Sequence, residues 1–251
     1  MLLACEIIGL AAGRFSRLTH MDITPEMLRA LPMWYIAFLL SLTCHEGAHA
    51  LAAKVGGDPT AFLAGQVSLN PWPHIRREPF GTVLFPLITY IASHWMMGWA
   101  SAPYDPRWER RYPHRSAVMS LAGPAANFTL AVLAGIAIRI GLWQRVFLQP
   151  EGISLDHLAI GTGFYEGLAV FLSILFSLNV LLGVFNLLPV PPLDGSSAIM
   201  FFMPERLAVR YMDATRGQAL AIIGLLIAWQ LFTPIFRPVF RVALSALYAG
   251  L

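Results

Sequence analysis

Charge is what this sequence has least of. Of its 251 residues, 12% are Asp, Glu, Lys or Arg, against about 25% in an ordinary soluble domain. All but one of the 17 basic residues are arginine, the exception being Lys54. Cysteine is nearly absent, and Cys5 and Cys44 cannot build a disulfide framework. Cys44 points about 100° away from its neighbour His45 on a helix, so it reads as a small apolar filler and not as a ligand. No internal repeat and no low-complexity tract is present. A net charge of +3 with no compact basic face excludes a nucleic-acid partner. Together these absences argue against a soluble globule with a charged shell and against a disulfide-stapled secreted module.

What is present is apolar. Hydrophobic residues make up 57% of the chain and mean hydropathy is +0.63. They come in runs long enough to span a hydrocarbon layer of about 30 Å. The expected fold is an all-α integral membrane protein, a polytopic helical bundle of about five to six membrane segments. It reads as a single domain over 1–251, with a core at 31–200 and membrane helices over 201–251. Clear spans fall at 31–53, 117–142, 164–189 and 217–236. Thr24-Pro25-Glu26 reads as the start of a separate preceding helix, and Gly56-Gly57-Asp58-Pro59 as a stop. Residues 58–80, with Gln66-Val67-Ser68-Leu69, suggest a short strand or hairpin after the first span. Residues 190–216 read as interfacial and 237–251 as a further, separate helix. Residues 1–12 carry Glu6 and no basic leader, so no cleavable signal is expected there. Trp34, Tyr35, Trp72 and Trp108 suit an interfacial belt. His74 and His114 read as solvated, and His94 as a packed or interfacial histidine and not a ligand.

One pentapeptide stands out: His45-Glu46-Gly47-Ala48-His49. Residues i and i+4 lie about 40° apart around a helix and one turn up, so both imidazoles can reach one Zn²⁺. Glu46 then stands beside the first ligand, placed to act as general base. A carboxylate in the middle of a span costs about 2.5–3.5 kcal/mol on insertion scales, which a purely structural helix has no reason to carry. A catalytic zinc site usually takes a third protein ligand. Asp194 is the candidate, in Asn186-Leu187-Leu188-Pro189-Val190-Pro191-Pro192-Leu193-Asp194-Gly195, where the prolines must end the helix. Spacing alone leaves an ordinary turn aspartate equally open.

HEGAH together with NLLPVPPLDG resembles the site-2 protease family of intramembrane zinc metalloproteases. Gly65–Pro71, Phe80–Pro86, Gly98-Trp99-Ala100 and Leu121-Ala122-Gly123-Pro124-Ala125-Ala126-Asn127 resemble its small bacterial members, so the likeness runs through residues 35–200. It implies that His45, His49 and Asp194 hold one zinc, that Glu46 is the catalytic acid/base, and that Asn186 and Asn127 contact substrate. It also implies a membrane-protein substrate, such as a membrane-anchored regulatory protein, and a bacterial-type cell membrane. The sequence departs from the pattern at Ser101-Ala102-Pro103-Tyr104, where small members show Lys-Pro, and has no stretch long enough for a PDZ or CBS module. The alternatives are a catalytically silent scaffold and a metal transporter.

For His45 and Asp194 to meet, spans 31–53 and 164–189 must run parallel, with 117–142 antiparallel. Segment 81–102 must then dip in and return, helped by Pro86 and Gly98. The metal side collects Lys54, Arg76, Arg77, Arg107, Arg110, Arg111, Arg115, Arg206, Arg210 and Arg216. The opposite side has Arg14, Arg17, Arg29, Arg139, Arg145, Arg237 and Arg241, so the metal is expected nearer the cytoplasm and the N-terminus outside.

Overall fold

The computed structural model describes residues 24–250. Cys5, Glu6, Arg14, Arg17 and the readings placed on residues 1–23 lie outside the described residues. Four helices are long and apolar enough to cross a membrane: α1 (Pro25–Gly56), α6 (Pro113–Trp143), α7 (Glu166–Asn186) and α10 (Gln218–Tyr248). Between them lie α2 (Thr60–Leu63), α3 (Trp72–Arg77), α4 (Phe85–Ser93) and α5 (Pro106–Arg111), then α8 (Asp194–Ala198) and α9 (Glu205–Thr215). The chain is a polytopic membrane protein built of helices. With the returning segment around α4 as a fifth, the described residues supply the membrane segments that hydropathy called for.

The first span is longer than its apolar run. Thr24 does not open a separate helix but caps α1 itself, its hydroxyl accepting from the Met27 amide at 3.3 Å, with Pro25 in the first turn. The helix ends at Gly57 in the left-handed conformation, whose amide reaches back to the carbonyls of Ala53 and Lys54. Likewise 217–236 and 237–248 form one 31-residue helix, with Pro234 and Pro238 inside it. The interfacial helix expected after residue 237 is a continuation of the span.

Helices α1, α6 and α7 form the centre. Two-thirds (67%) of the α7 window is buried, against 17% for α10, so α7 is the interior post and α10 the lipid-facing flank. Trp34, Phe38 and Leu42 of α1 meet Ala131, Ala134 and Ile138 of α6 and Ile174 and Leu178 of α7 in one apolar core. Small residues on α6 allow close packing where lipid offers no hydrophobic drive between helices. α10 starts on the metal side, where Gly224 meets the Pro191 backbone. It ends on the opposite side, where Arg139 donates to the carbonyls of Ala246, Leu247 and Ala249.

Residues 80–99 turn back on themselves. A π-helical turn (Phe80–Leu84) leads into α4, His94 ends it at φ 63°, and the chain returns so that the Trp99 amide donates to the Gly81 carbonyl at 3.1 Å. Gln66–Leu69 forms no strand. It is irregular and lies against α1, its Ser68 carbonyl 3.4 Å from where a Gly47 Cβ would stand. No described neighbour pairs with it as a strand. The strand pairing among the described residues is on the opposite side, Phe147–Leu148 (β1) antiparallel to Ile160–Gly161 (β2).

The aromatic belt is corrected too. Trp72 is exposed, but Trp34 is buried against Tyr90, and Trp108 is buried with its indole N–H on the Gly56 carbonyl. Each lies under the returning segment or its connection, which hydropathy cannot reveal. A Cβ at Gly98 would strike the Gly81 carbonyl and lie 2.5 Å from the Phe38 ring and 2.8 Å from Pro86. Gly98→Ala is therefore expected to lower stability by roughly 1–3 kcal/mol, read as a drop in thermal midpoint of the purified protein.

Candidate metal centre

Near the C-terminal end of α1, His45 and His49 project from one face with ring centroids 4.6 Å apart. Asp194 arrives from a different part of the chain. α7 stops at Asn186, and the turn through Pro189 and the cis Pro191–Pro192 bond carries Asp194 to the first position of α8. Polar ties hold the segment after Asp194 to α5 and α6. Arg110 grips Asp213 with two bonds of 2.5 and 2.9 Å, Arg216 pairs with buried Glu109, and His114 Nε2–H donates to the Met203 carbonyl at 2.7 Å. Burial pushes the Glu109 carboxyl up, partly offset by the Arg216 guanidinium. His114 is thus a structural donor, not a solvated residue.

The three groups meet. His45 Nε2 and His49 Nε2 are 3.0 Å apart, and Asp194 Oδ2 lies 3.2 and 3.3 Å from them. Among the described residues these three form the one cluster suited to a metal. Their Nδ1 atoms explain why a cation is needed. His49 Nδ1 is 2.7 Å from the Met119 carbonyl, which can only accept, so Nδ1 carries the proton. His45 Nδ1 is 2.6 Å from Asn127 Oδ1, whose own amide nitrogen donates to Asn179. With both rings neutral, as metal ligation requires, both Nε2 atoms present lone pairs, to each other and to a carboxylate oxygen that accepts no hydrogen bond. Three converging lone pairs repel unless a cation lies between them. A tetrahedral zinc at 2.0–2.1 Å from each would set them about 3.3 Å apart, and the donor set fits.

Glu46 is buried beside the ligands but outside the cluster, and makes no hydrogen bond to a described residue. Asn127 is fully buried, and its amide is used by His45 and Asn179. It was placed with substrate on the resemblance. In the structure it lies in the bundle interior, against His45 Nδ1 on the side of the ring away from Asp194. Asn186 stands half-buried at the end of α7. Cys44 is half-buried and free, and His94 is exposed at its turn, away from the cluster.

Two things escaped the sequence. Gly123 of α6 faces the imidazoles so closely that a Cβ would strike His49 Nε2 and stand 2.6 Å from His45 Nε2. Pro124 beside it removes an N–H from the helix ladder at that turn. His74, expected in solvent, is buried on the Glu46 side with neither ring nitrogen bonded. Burial pushes its imidazole down, against the nearby charge of Glu46. Its place on a short polar helix, Trp72–Arg77, offered no sign of this.

Comparison with known proteins agrees with the site. The sequence profile of peptidase family M50 matches residues 33–231. The chain is 35% identical over 188 residues to "Putative zinc metalloprotease YwhC" of Bacillus subtilis, covering 74% of this chain and 76% of that protein. It is 31% identical over 175 residues to "Putative zinc metalloprotease Rip2" of Mycolicibacterium smegmatis, covering 64% of this chain and 54% of the relative. For the protein of the same name in Mycobacterium tuberculosis the identity is 31% over 198 residues, 77% of this chain and 67% of the relative. No solved structure matches. Gly123→Ala should fold yet purify with well under one zinc per chain, measured by elemental analysis beside the unaltered protein.

Proposed function

The chain belongs to peptidase family M50, the site-2 protease family of zinc metalloproteases, and from that premise we propose that it cleaves peptide bonds in or next to the transmembrane helices of membrane-anchored proteins. The observation that carries this reading is the depth of the metal centre. His45 and His49 lie roughly 14 and 8 Å along α1 before Lys54, at 1.5 Å per residue, so both ligands stand on the apolar run of the helix, ahead of its basic last turn.

His45, His49 and Asp194 hold the metal, which when bound supplies Lewis acidity. Glu46 takes the proton of the attacking water and delivers it to the leaving amine, as a carboxylate held beside but outside the metal cluster can do. Asn186, at the end of α7, donates to the substrate backbone near the cut. Asn127 holds the His45 ring from behind. The substrate helix must unwind at the cut, because its carbonyls are otherwise engaged in intrahelical bonds. Helix-weakening residues there should favour cleavage.

The orientation follows from charge. Lys54, Arg76, Arg77, Arg107, Arg110, Arg111, Arg115, Arg206, Arg210 and Arg216 lie on the metal side, against Arg29, Arg139, Arg145, Arg237 and Arg241 opposite or along α10. That excess supports a metal nearer the cytoplasm of a cell membrane. Arg107→Cys should react with an impermeant thiol reagent only after cells are opened, and labelling of intact cells would reverse the orientation.

Glu46→Gln separates this reading from a scaffold or a transporter. The variant should bind zinc normally and cleave a model transmembrane peptide at least about 100-fold more slowly. Unchanged cleavage would remove Glu46 from the chemistry. Chelation of the unaltered protein should abolish cleavage, and added zinc should restore it.

A further inference from the structure

Behind His45 runs a chain of hydrogen bonds that crosses three helices. Ser41, one turn before His45 on α1, donates its single proton to the Ala37 carbonyl at 2.6 Å. Toward any other partner it can only accept, and it does so from Asn179 Nδ2 of α7 at 2.8 Å. The same Nδ2 donates to the Leu175 carbonyl at 2.8 Å. With its amide nitrogen so placed, Asn179 turns Oδ1 toward α6, where it accepts from Asn127 Nδ2 at 2.8 Å. Asn127 Oδ1 is then turned to His45 Nδ1, 2.6 Å away, and must receive its proton.

Each polarity in the chain is dictated by the one before it. The Ala37 and Leu175 carbonyls, which cannot donate, anchor it. Reversing either amide would set oxygen against oxygen or N–H against N–H. Ser41, Asn127 and Asn179 are fully buried among apolar side chains, where water cannot replace a missing partner and an unpaired polar group is costly. The outcome at the far end is one tautomer and one ring orientation, with the Nε2 lone pair of His45 aimed at the metal.

We infer that Ser41 and Asn179, which belong to none of the sequence motifs, are positioning residues that set the zinc affinity of the site through Asn127 and His45. Neither touches metal or substrate. The inference rests on zinc occupying the centre described above, and the unaltered protein tests that separately by binding one equivalent.

The experiment is competition between the purified protein in detergent and a chromophoric zinc chelator, which needs no substrate. Ser41→Ala removes a single oxygen and Asn179→Ala the whole amide. Each should weaken zinc binding by about 10–100-fold, the usual effect of losing a partner behind a ligand. Ser173→Ala is the control. Ser173 lies on the same helix, is equally buried, donates to the Ala169 carbonyl and accepts from the Leu158 and Ala159 amides, but has no link to His45. It should lower the thermal midpoint and leave zinc affinity unchanged. Wild-type affinity in Ser41→Ala would overturn the inference. So would an equal loss in Ser173→Ala, since that would make the effect one of general stability.

Discussion

Three lone pairs pointed at one another in the buried centre of a helical bundle are the constraint on which this protein is built. His45 and His49 give their ring protons to acceptors on the far side, and Asp194 adds a carboxylate oxygen with no donor of its own. In water such a cluster would be eased by solvent. Within a span that relief is missing, and the electrostatic cost is larger because the dielectric is low. A divalent cation removes the repulsion and turns it into the attraction that joins α1 to the loop after α7.

Much of the remaining structure serves that junction. The Asp194 turn is irregular backbone next to apolar helices, and protein covers it. Here the cover is α6 and the front of α10, and Gly195 lets the turn pack onto the carbonyls of Leu187 and Leu188. On the metal side, Arg110–Asp213, Arg216–Glu109 and His114–Met203 tie the segment that follows Asp194, Met203 to Arg216, to α5 and the start of α6. The exposed pair Arg110–Asp213 contributes little by itself, but with the bond to buried Glu109 it acts on the segment that continues the chain from the third ligand.

How much of this was legible beforehand differs from residue to residue. The imidazole pair was, because i and i+4 on a helix can face only one way relative to each other. Asp194 was nominated by its proline-bounded turn but separated from an ordinary turn aspartate only by its family likeness. The parallel course of α1 and α7, and the return of residues 80–99, followed from requiring one metal to touch both helices. That Asn127 holds the back of the His45 ring was not legible, since a motif does not tell the front of an imidazole from its back. His74 and Trp34 were misread as wet and interfacial, because both are covered by segments distant in the chain.

Left to itself, the sequence settled matters of local period and composition: which runs are apolar and long enough to span, which face two histidines share, and where proline forbids helix. These depend on neighbours within a turn or two. Tertiary structure alone decided that Gly123 must lack a side chain and that Asn127, Asn179 and Ser41 connect. It also decided that Gln66–Leu69 has no partner strand and that α10 continues through two prolines. The reason is physical: steric exclusion and hydrogen-bond polarity act over about 3 Å, and the groups that come that close here are up to 138 positions apart in the chain.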